Sequence, residues 1–340
     1  MKLDTQLGHR GLANAADEAR SYERMGFNSA WTFEAGHDPY LPVALAGAAT
    51  TKIELGTNIA VALARSPLST AQCAWDLQKL LGGRFHLGLG TQVKAHIERR
   101  YSMPYDPPVA RLVDYVRCMQ AIWETFQNGT KPAYEGKFYQ FKLMNPMFNP
   151  GPIDHPKIPV WFAGVNPLMC RAAGEIADGF HVHPMHSLAY LKGTVIPAIE
   201  EGAKKRGKKA SDLELYSPVF TVTGETQNDF DKSMAEVRTQ ISFYGSTPAY
   251  RIVLEESGHG GIARELSAMA REGKWKEMPK LIPDALLEQI AVITEKPSEL
   301  AGAIRRRYQG LLTRVSLYFP IRASDAEQTW KDFVTAFHAS

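Results

Sequence analysis

Several groups of residues have the types and spacing to do chemistry. In Gly82-Gly83-Arg84-Phe85-His86-Leu87-Gly88-Leu89-Gly90-Thr91-Gln92 a short apolar run gives way to a glycine corner. Glycine lets a ligand come close to the backbone. Gly90, Thr91 and Gln92 then offer main-chain N–H groups, a hydroxyl and an amide, a cradle suited to phosphate. The same residues can also make no more than a tight turn. Gly164-Val165-Asn166-Pro167 repeats the arrangement, with Pro167 placed for the first turn of a helix. Glu34, His37 and Asp38 form a third group. They can transfer a proton or hydrogen-bond a substrate; equally, Asp38 before Pro39 can serve a turn. Thr57-Asn58-Ile59 can meet a ring edge or simply leave a strand as loop. Arg65 can neutralise an anionic ligand or cap a helix end. His181 and His183, two apart, face one side of a strand, and His186 follows. An inward His pair can bind metal, but no second inward cluster accompanies it. A hydrogen-bonding pocket wall is the simpler reading.

These residues fall at the ends of apolar runs that alternate with helical patterns. Strands are predicted over residues 2–7, 27–33, 53–56, 85–89, 159–163, 179–183, 213–223 and 313–319. Helices are predicted over 11–25, 41–51, 66–81, 109–127, 167–177, 188–206 and from Pro297, with a last one over 325–338. A hairpin is predicted at 134–139, and residues 227–295 form a mostly helical insertion before the last strand. Eight strands, each but the last followed by helix, predict a single (β/α)8 TIM barrel over residues 1–340. In such barrels the chemistry lies at the C-terminal ends of the strands, where the polar groups above fall. Trp31, Trp75, Trp123 and Trp161 are expected in the core or at its rim.

Composition excludes several classes. The chain has 340 residues, 44% hydrophobic and 22% charged, ordinary for a large globular core. A net charge of +3 implies no nucleic-acid face. Cys73, Cys118 and Cys170 are scattered and odd in number, which fits a reducing compartment rather than a disulfide framework. The N-terminus lacks the apolar core of a signal peptide, and no apolar run is long enough to span a bilayer. A soluble cytoplasmic protein is expected.

Taken together, Gly26-Phe27 leading to Trp31, His37-Asp38-Pro39-Tyr40-Leu41-Pro42, Leu55-Gly56-Thr57, Gly82-Gly83-Arg84-Phe85, Leu87-Gly88-Leu89-Gly90, Glu98-Arg99-Arg100-Tyr101, Ala163-Gly164-Val165 and Ala177-Asp178-Gly179 resemble the bacterial luciferase-like monooxygenase superfamily. Within it they resemble the branch that uses the deazaflavin coenzyme F420. The likeness runs from near the N-terminus to about Arg206 and again from Thr313 to Pro320. It implies a TIM barrel, a homodimer, and a flavin or deazaflavin across the mouth of the barrel. It implies a non-proline cis peptide at Asn58–Ile59 beside the ring, so that Thr57, Asn58 and Ile59 support it. It maps phosphate contacts onto Gly90, Thr91 and Gln92 and onto Gly164, Val165 and Asn166. One position departs from the pattern: Glu34 matches an acidic residue that histidine follows in many relatives, but Ala35 stands in the histidine's place.

The reading that follows is an F420-dependent oxidoreductase acting on a small organic substrate. His37 and Glu34 would handle the proton, and His181 and His183 would line the substrate side. Alternatives are an FMN-dependent monooxygenase on the same fold, a metal-dependent hydrolase using His181, His183 and His186, and a barrel that has lost its ligand.

Overall fold

The computed structural model describes residues 1–8, 11–319 and 327–340. The barrel strands are β1 (Lys2–Gln6), β2 (Ser29–Thr32), β3 (Glu54–Thr57), β4 (Phe85–Gly90), β5 (Val160–Gly164), β6 (Gly179–Val182), β7 (Glu214–Val219) and β8 (Arg314–Leu317). They are parallel strands with helices between them, the (β/α)8 TIM barrel the alternation predicts. The chain packs as two compact units. One comprises residues 5–163 and 172–180, the other residues 1–4, 164–171 and 181–340.

In the first unit β2 pairs with β3, β3 with β4 and β4 with β5. Strand β4 is buried along its whole length, as a strand covered on both faces must be. Trp31, His86 and Trp161 fill the space beneath, with ring centroids 5.3 to 5.8 Å apart. The Trp161 indole N–H donates to His86 Nδ1 at 3.0 Å, which gives a buried tryptophan its polar partner. Trp75 and Trp123 are also buried. Helix Ala15–Met25 ends at Gly26, whose φ of +93° takes the left-handed C-terminal position. Tyr134–Glu135 and Gln140–Phe141 form the expected hairpin.

In the second unit the start of β1 pairs with β8, with Lys2 opposite Arg314 and Leu3 opposite Val315, and β8 pairs with β7. Asp4 and Arg314, both fully buried, form a two-pronged ion pair at 2.8 and 3.2 Å. Arg314 also reaches Glu214 at 3.1 Å.

Three expectations change. The strand expected over 213–223 divides: after Val219, Thr221–Val222 pairs with Val292–Ile293, so the insertion contains a strand as well as helices. The backbone at that point finds its partners in the insertion. The helix expected over 188–206 is three stretches, with a π-helical turn at Leu191–Val195 between Leu188–Tyr190 and Ile196–Lys204. Strand β6 stops at Val182, so the alternation that set His181 and His183 side by side does not extend to His183. Asp325, the expected start of the last helix, and Pro320, where the family likeness ends, lie outside the described residues; the helix is seen from Glu327 to Ala339. Among the described residues no helix is long and apolar enough to cross a membrane.

Candidate active site

In the first unit the residues past β2, β3 and β4 come together. The Glu34 carboxylate, 6% exposed, accepts from the Val61 N–H and from Arg65 Nη1, both at 2.7 Å. The Tyr101 hydroxyl donates to its other oxygen at 3.2 Å. Arg65 Nη2 reaches Asp38 at 3.0 Å. Burial opposes charge on Arg65, but the hydrogen bond and attraction from Glu34 raise its pKa above the ordinary arginine value. Arg65 therefore holds acidic side chains of the protein, which is neither of the roles its sequence suggests. Asp38 also accepts from the N–H groups of Tyr40 and Leu41, so the turn reading of that residue holds. His37 is exposed. Arg100 donates to the Ala35 carbonyl at 2.5 Å, which ties the loop past β2 to the segment after β4.

The Asn58–Ile59 peptide is cis, as the resemblance implied. The Thr57 hydroxyl donates to the Gly88 carbonyl at 2.7 Å and accepts the Gly88 N–H at 3.0 Å. It stitches β3 to β4, so its side chain is committed to the sheet. Ile59 lies over Gly90: a Cβ at Gly90 would come within 2.9 Å of Ile59 Cγ1. Gln92 takes a left-handed φ of +56°, unusual for a residue with a side chain. Its side-chain oxygen accepts the Val93 N–H, and its carbonyl accepts from Tyr105. Among the described residues, the N–H groups of Thr91 and Gln92 have no protein acceptor.

In the second unit, the Asn166 side chain accepts the Met169 N–H at 2.9 Å and caps helix Pro167–Ile176. The Tyr190 hydroxyl donates to the Val165 carbonyl. The N–H groups of Val165 and Asn166 have no protein acceptor among the described residues. Both glycine corners thus present open main-chain donors, the second at a helix N-terminus where partial positive charge collects.

The histidines separate in their roles. His181 is buried with its ring edge-on to Tyr216, centroids 5.4 Å apart. His186 is buried; its Nδ1 donates to the His183 carbonyl at 2.8 Å and its Nε2 accepts from Tyr308 at 3.2 Å. Burial holds its pKa down to about 4. His183 accepts the Met185 N–H on Nδ1 at 3.2 Å, and burial lowers its pKa to about 3. Its ring meets Tyr244 and Tyr250, with centroids 4.5 and 4.3 Å away. With both His186 nitrogens taken, the three histidines do not make a ligand set. No group of three or more His, Cys, Asp or Glu among the described residues is placed to hold a metal. That removes the support for the metal-dependent hydrolase reading.

Sequence reasoning missed the tyrosines. Tyr105, Tyr190, Tyr244, Tyr250 and Tyr318 follow no spacing pattern, and only the fold carries them to these positions. Tyr101 stood within the quoted Glu98-Arg99-Arg100-Tyr101 motif, which was the one available signal.

Comparison with known proteins gives the same family. Residues 2–314 match the family model described as luciferase-like monooxygenase. An uncharacterized protein of Mycobacterium tuberculosis is 44% identical over 315 residues, covering 93% of this chain and 92% of its own. The 5,10-methylenetetrahydromethanopterin reductase of Methanopyrus kandleri is 26% identical over 315 residues, covering 88% of this chain and 86% of its own. The solved structure of the coenzyme F420 dependent tetrahydromethanopterin reductase from that organism superposes with a TM-score of 0.79 at 21% identity, covering 99% of this chain and 98% of that one, and shares the barrel fold. The chain belongs to the luciferase-like monooxygenase family.

Proposed function

We propose that this protein is an F420-dependent oxidoreductase acting on a small organic substrate, and that it works as a cytoplasmic homodimer. The observation that carries the reading is the set of open main-chain donors at the two corners: Thr91 and Gln92 after Gly90, and Val165 and Asn166 after Gly164. Such donors suit an anionic group, and each corner taken by itself has the donors that a coenzyme phosphate would need. When bound, the deazaflavin supplies or accepts a hydride; the chain supplies orientation and electrostatics.

The residues divide the work as follows. Gly90 leaves room for Ile59, and the backbone of Thr57, Asn58 and Ile59 supports the ring. The Thr57 hydroxyl maintains the strand end through Gly88. Glu34 shapes the same rim through Val61 and Arg65. Exposed His37, beside that ion pair in sequence, carries the proton. His183 lines the substrate side and His181 supports that wall. The second reading is an FMN-dependent monooxygenase, favoured by the name of the family model. Spectroscopic titration of the purified protein with each cofactor separates the two. Saturable F420 binding supports the proposal; tight FMN binding with none for F420 overturns it.

A further inference from the structure

At the second corner one hydrogen bond has a single possible direction. The Tyr190 hydroxyl meets the Val165 carbonyl, and a carbonyl can only accept, so Tyr190 donates. Among the described residues the cis peptides are Asn58–Ile59 and Asp106–Pro107, so the Val165–Asn166 peptide is trans. A trans peptide is planar, and its C=O and N–H point opposite ways. A carbonyl turned toward Tyr190 therefore turns the Asn166 N–H away from it, to the side where no protein acceptor among the described residues meets it. A carbonyl that accepts a hydrogen bond also makes the N–H of its own peptide a stronger donor.

The rest of the corner is fixed by other contacts. A Cβ on Gly164 would come within 2.5 Å of Met169 Cγ, so the strand end and the first turn of the helix pack without slack. The Asn166 side chain holds the Met169 N–H at 2.9 Å. Neither contact sets which way the Val165 carbonyl faces. A peptide turned over would present that carbonyl oxygen to an anion in place of the N–H. Tyr190 is itself held in place. It is buried, its N–H donates to Ser187 Oγ at 3.2 Å, and Ser187 Oγ lies 3.0 Å from Ser257 Oγ. Burial raises its pKa, so the hydroxyl keeps its proton to give. The π-helical turn Leu191–Val195 begins at the next residue. Such turns are rare and frequently mark functional sites.

We propose that Tyr190 is a positioning residue for the coenzyme's phosphate: through the Val165 carbonyl it aims the Asn166 N–H at the anion. Its own proton is committed to that carbonyl, so it does not touch the anion. This deepens the oxidoreductase reading and rests on it for the identity of the ligand. The role concerns the phosphate alone, so a coenzyme fragment without phosphate should be indifferent to Tyr190.

The test titrates the full-length protein with F420 and, separately, with the same deazaflavin ending at its ribityl chain, which lacks the phosphate. Tyr190→Phe keeps the ring and removes the donor. Its affinity for F420 should fall by about tenfold, the scale of one hydrogen bond serving a charged group. Its affinity for the phosphate-free deazaflavin should stay that of wild type. Ser187→Ala, which loosens the turn that carries Tyr190, should move the ratio of the two affinities the same way and by less. Circular dichroism and thermal unfolding show which variants are folded, and if Tyr190→Phe is not, Ser187→Ala is judged by the same criteria. The proposal is overturned if the folded variant binds F420 as wild type does. It is also overturned if both ligands lose affinity together, which would make Tyr190 a support of the pocket as a whole. If wild type binds FMN and not F420, the F420 reading falls and the comparison passes to FMN and riboflavin. There a loss confined to FMN sustains the role of Tyr190, and an equal loss overturns it. A wild type that binds none of the four overturns both.

Discussion

Glu34 and Arg65 meet at 2.7 Å, and the same Glu34 oxygen also takes the Val61 N–H. The acid past β2 thus fastens the loop past β3. Truncating Glu34 takes from Arg65 the more buried of its two acidic partners and leaves it Asp38. Glu34→Ala should therefore destabilise the protein by about 3 kcal/mol in urea unfolding. Glu34→Gln, which still accepts from Val61, should cost about half as much. Equal stability of Glu34→Ala and wild type would show that the pair does not hold this loop.

Gly90 lies under Ile59 with no room for a methyl group. Gly90→Ala must displace Ile59 or the corner, at about 1–3 kcal/mol. F420 affinity should fall by about tenfold or more, since 1.4 kcal/mol is tenfold. Adding Ile59→Ala removes the overlapping Cγ1 and Cδ1 and should recover stability. Calorimetric titration and thermal unfolding of the three variants check this. An affinity untouched in Gly90→Ala would move the phosphate elsewhere.

His183 and His186 give a pH dependence. His183 and His186 have folded pKa values lowered to about 3 and about 4, against about 6.5 in the unfolded chain. Above pH about 6.5 both states hold them neutral and stability is unaffected. As pH falls below that value the unfolded chain takes up protons that the folded one refuses, so stability declines down to about pH 4. The loss from His186 alone should approach about 3 kcal/mol over that window. Urea unfolding between those pH values should show a steeper slope in wild type than in His186→Gln. Identical slopes would mean that His186 is free to protonate in the folded protein.

Asp4 and Arg314 are fully buried and joined twice. Asp4→Ala should cost about 3 kcal/mol, because it takes the two-pronged partner from a buried guanidinium whose Nη1 still reaches Glu214. Asp4→Ala with Arg314→Met should be closer to wild type than Asp4→Ala alone, since an apolar pair of similar volume is often tolerated. Denaturation of the three proteins decides this, and a double variant worse than the single would count against it.

Much of this was legible in the chain. Alternating apolar runs gave the strands because barrel strands are short and covered on both faces, as β4 is. The glycine corners were legible because backbone approach demands a specific residue type. Side-chain commitments were not. Thr57 looked like a ligand for a ring, yet its hydroxyl serves Gly88, a residue 31 positions away. His183 was paired with His181 by alternation, which ended one residue too early. Tyr244 and Tyr318 are 74 positions apart, and no local pattern announces a bond across that distance.

The pairing of Thr221–Val222 with Val292–Ile293 has an evolutionary consequence. The insertion departs from and returns to adjacent points, so its length and content can change while its anchorage stays put. Closing a longer loop adds little free energy, about 0.6 kcal/mol for each doubling. Tyr244 and Tyr250 ride on that removable module, whereas the glycine corners belong to the permanent frame. A lineage could thus exchange this module without relearning how to fold.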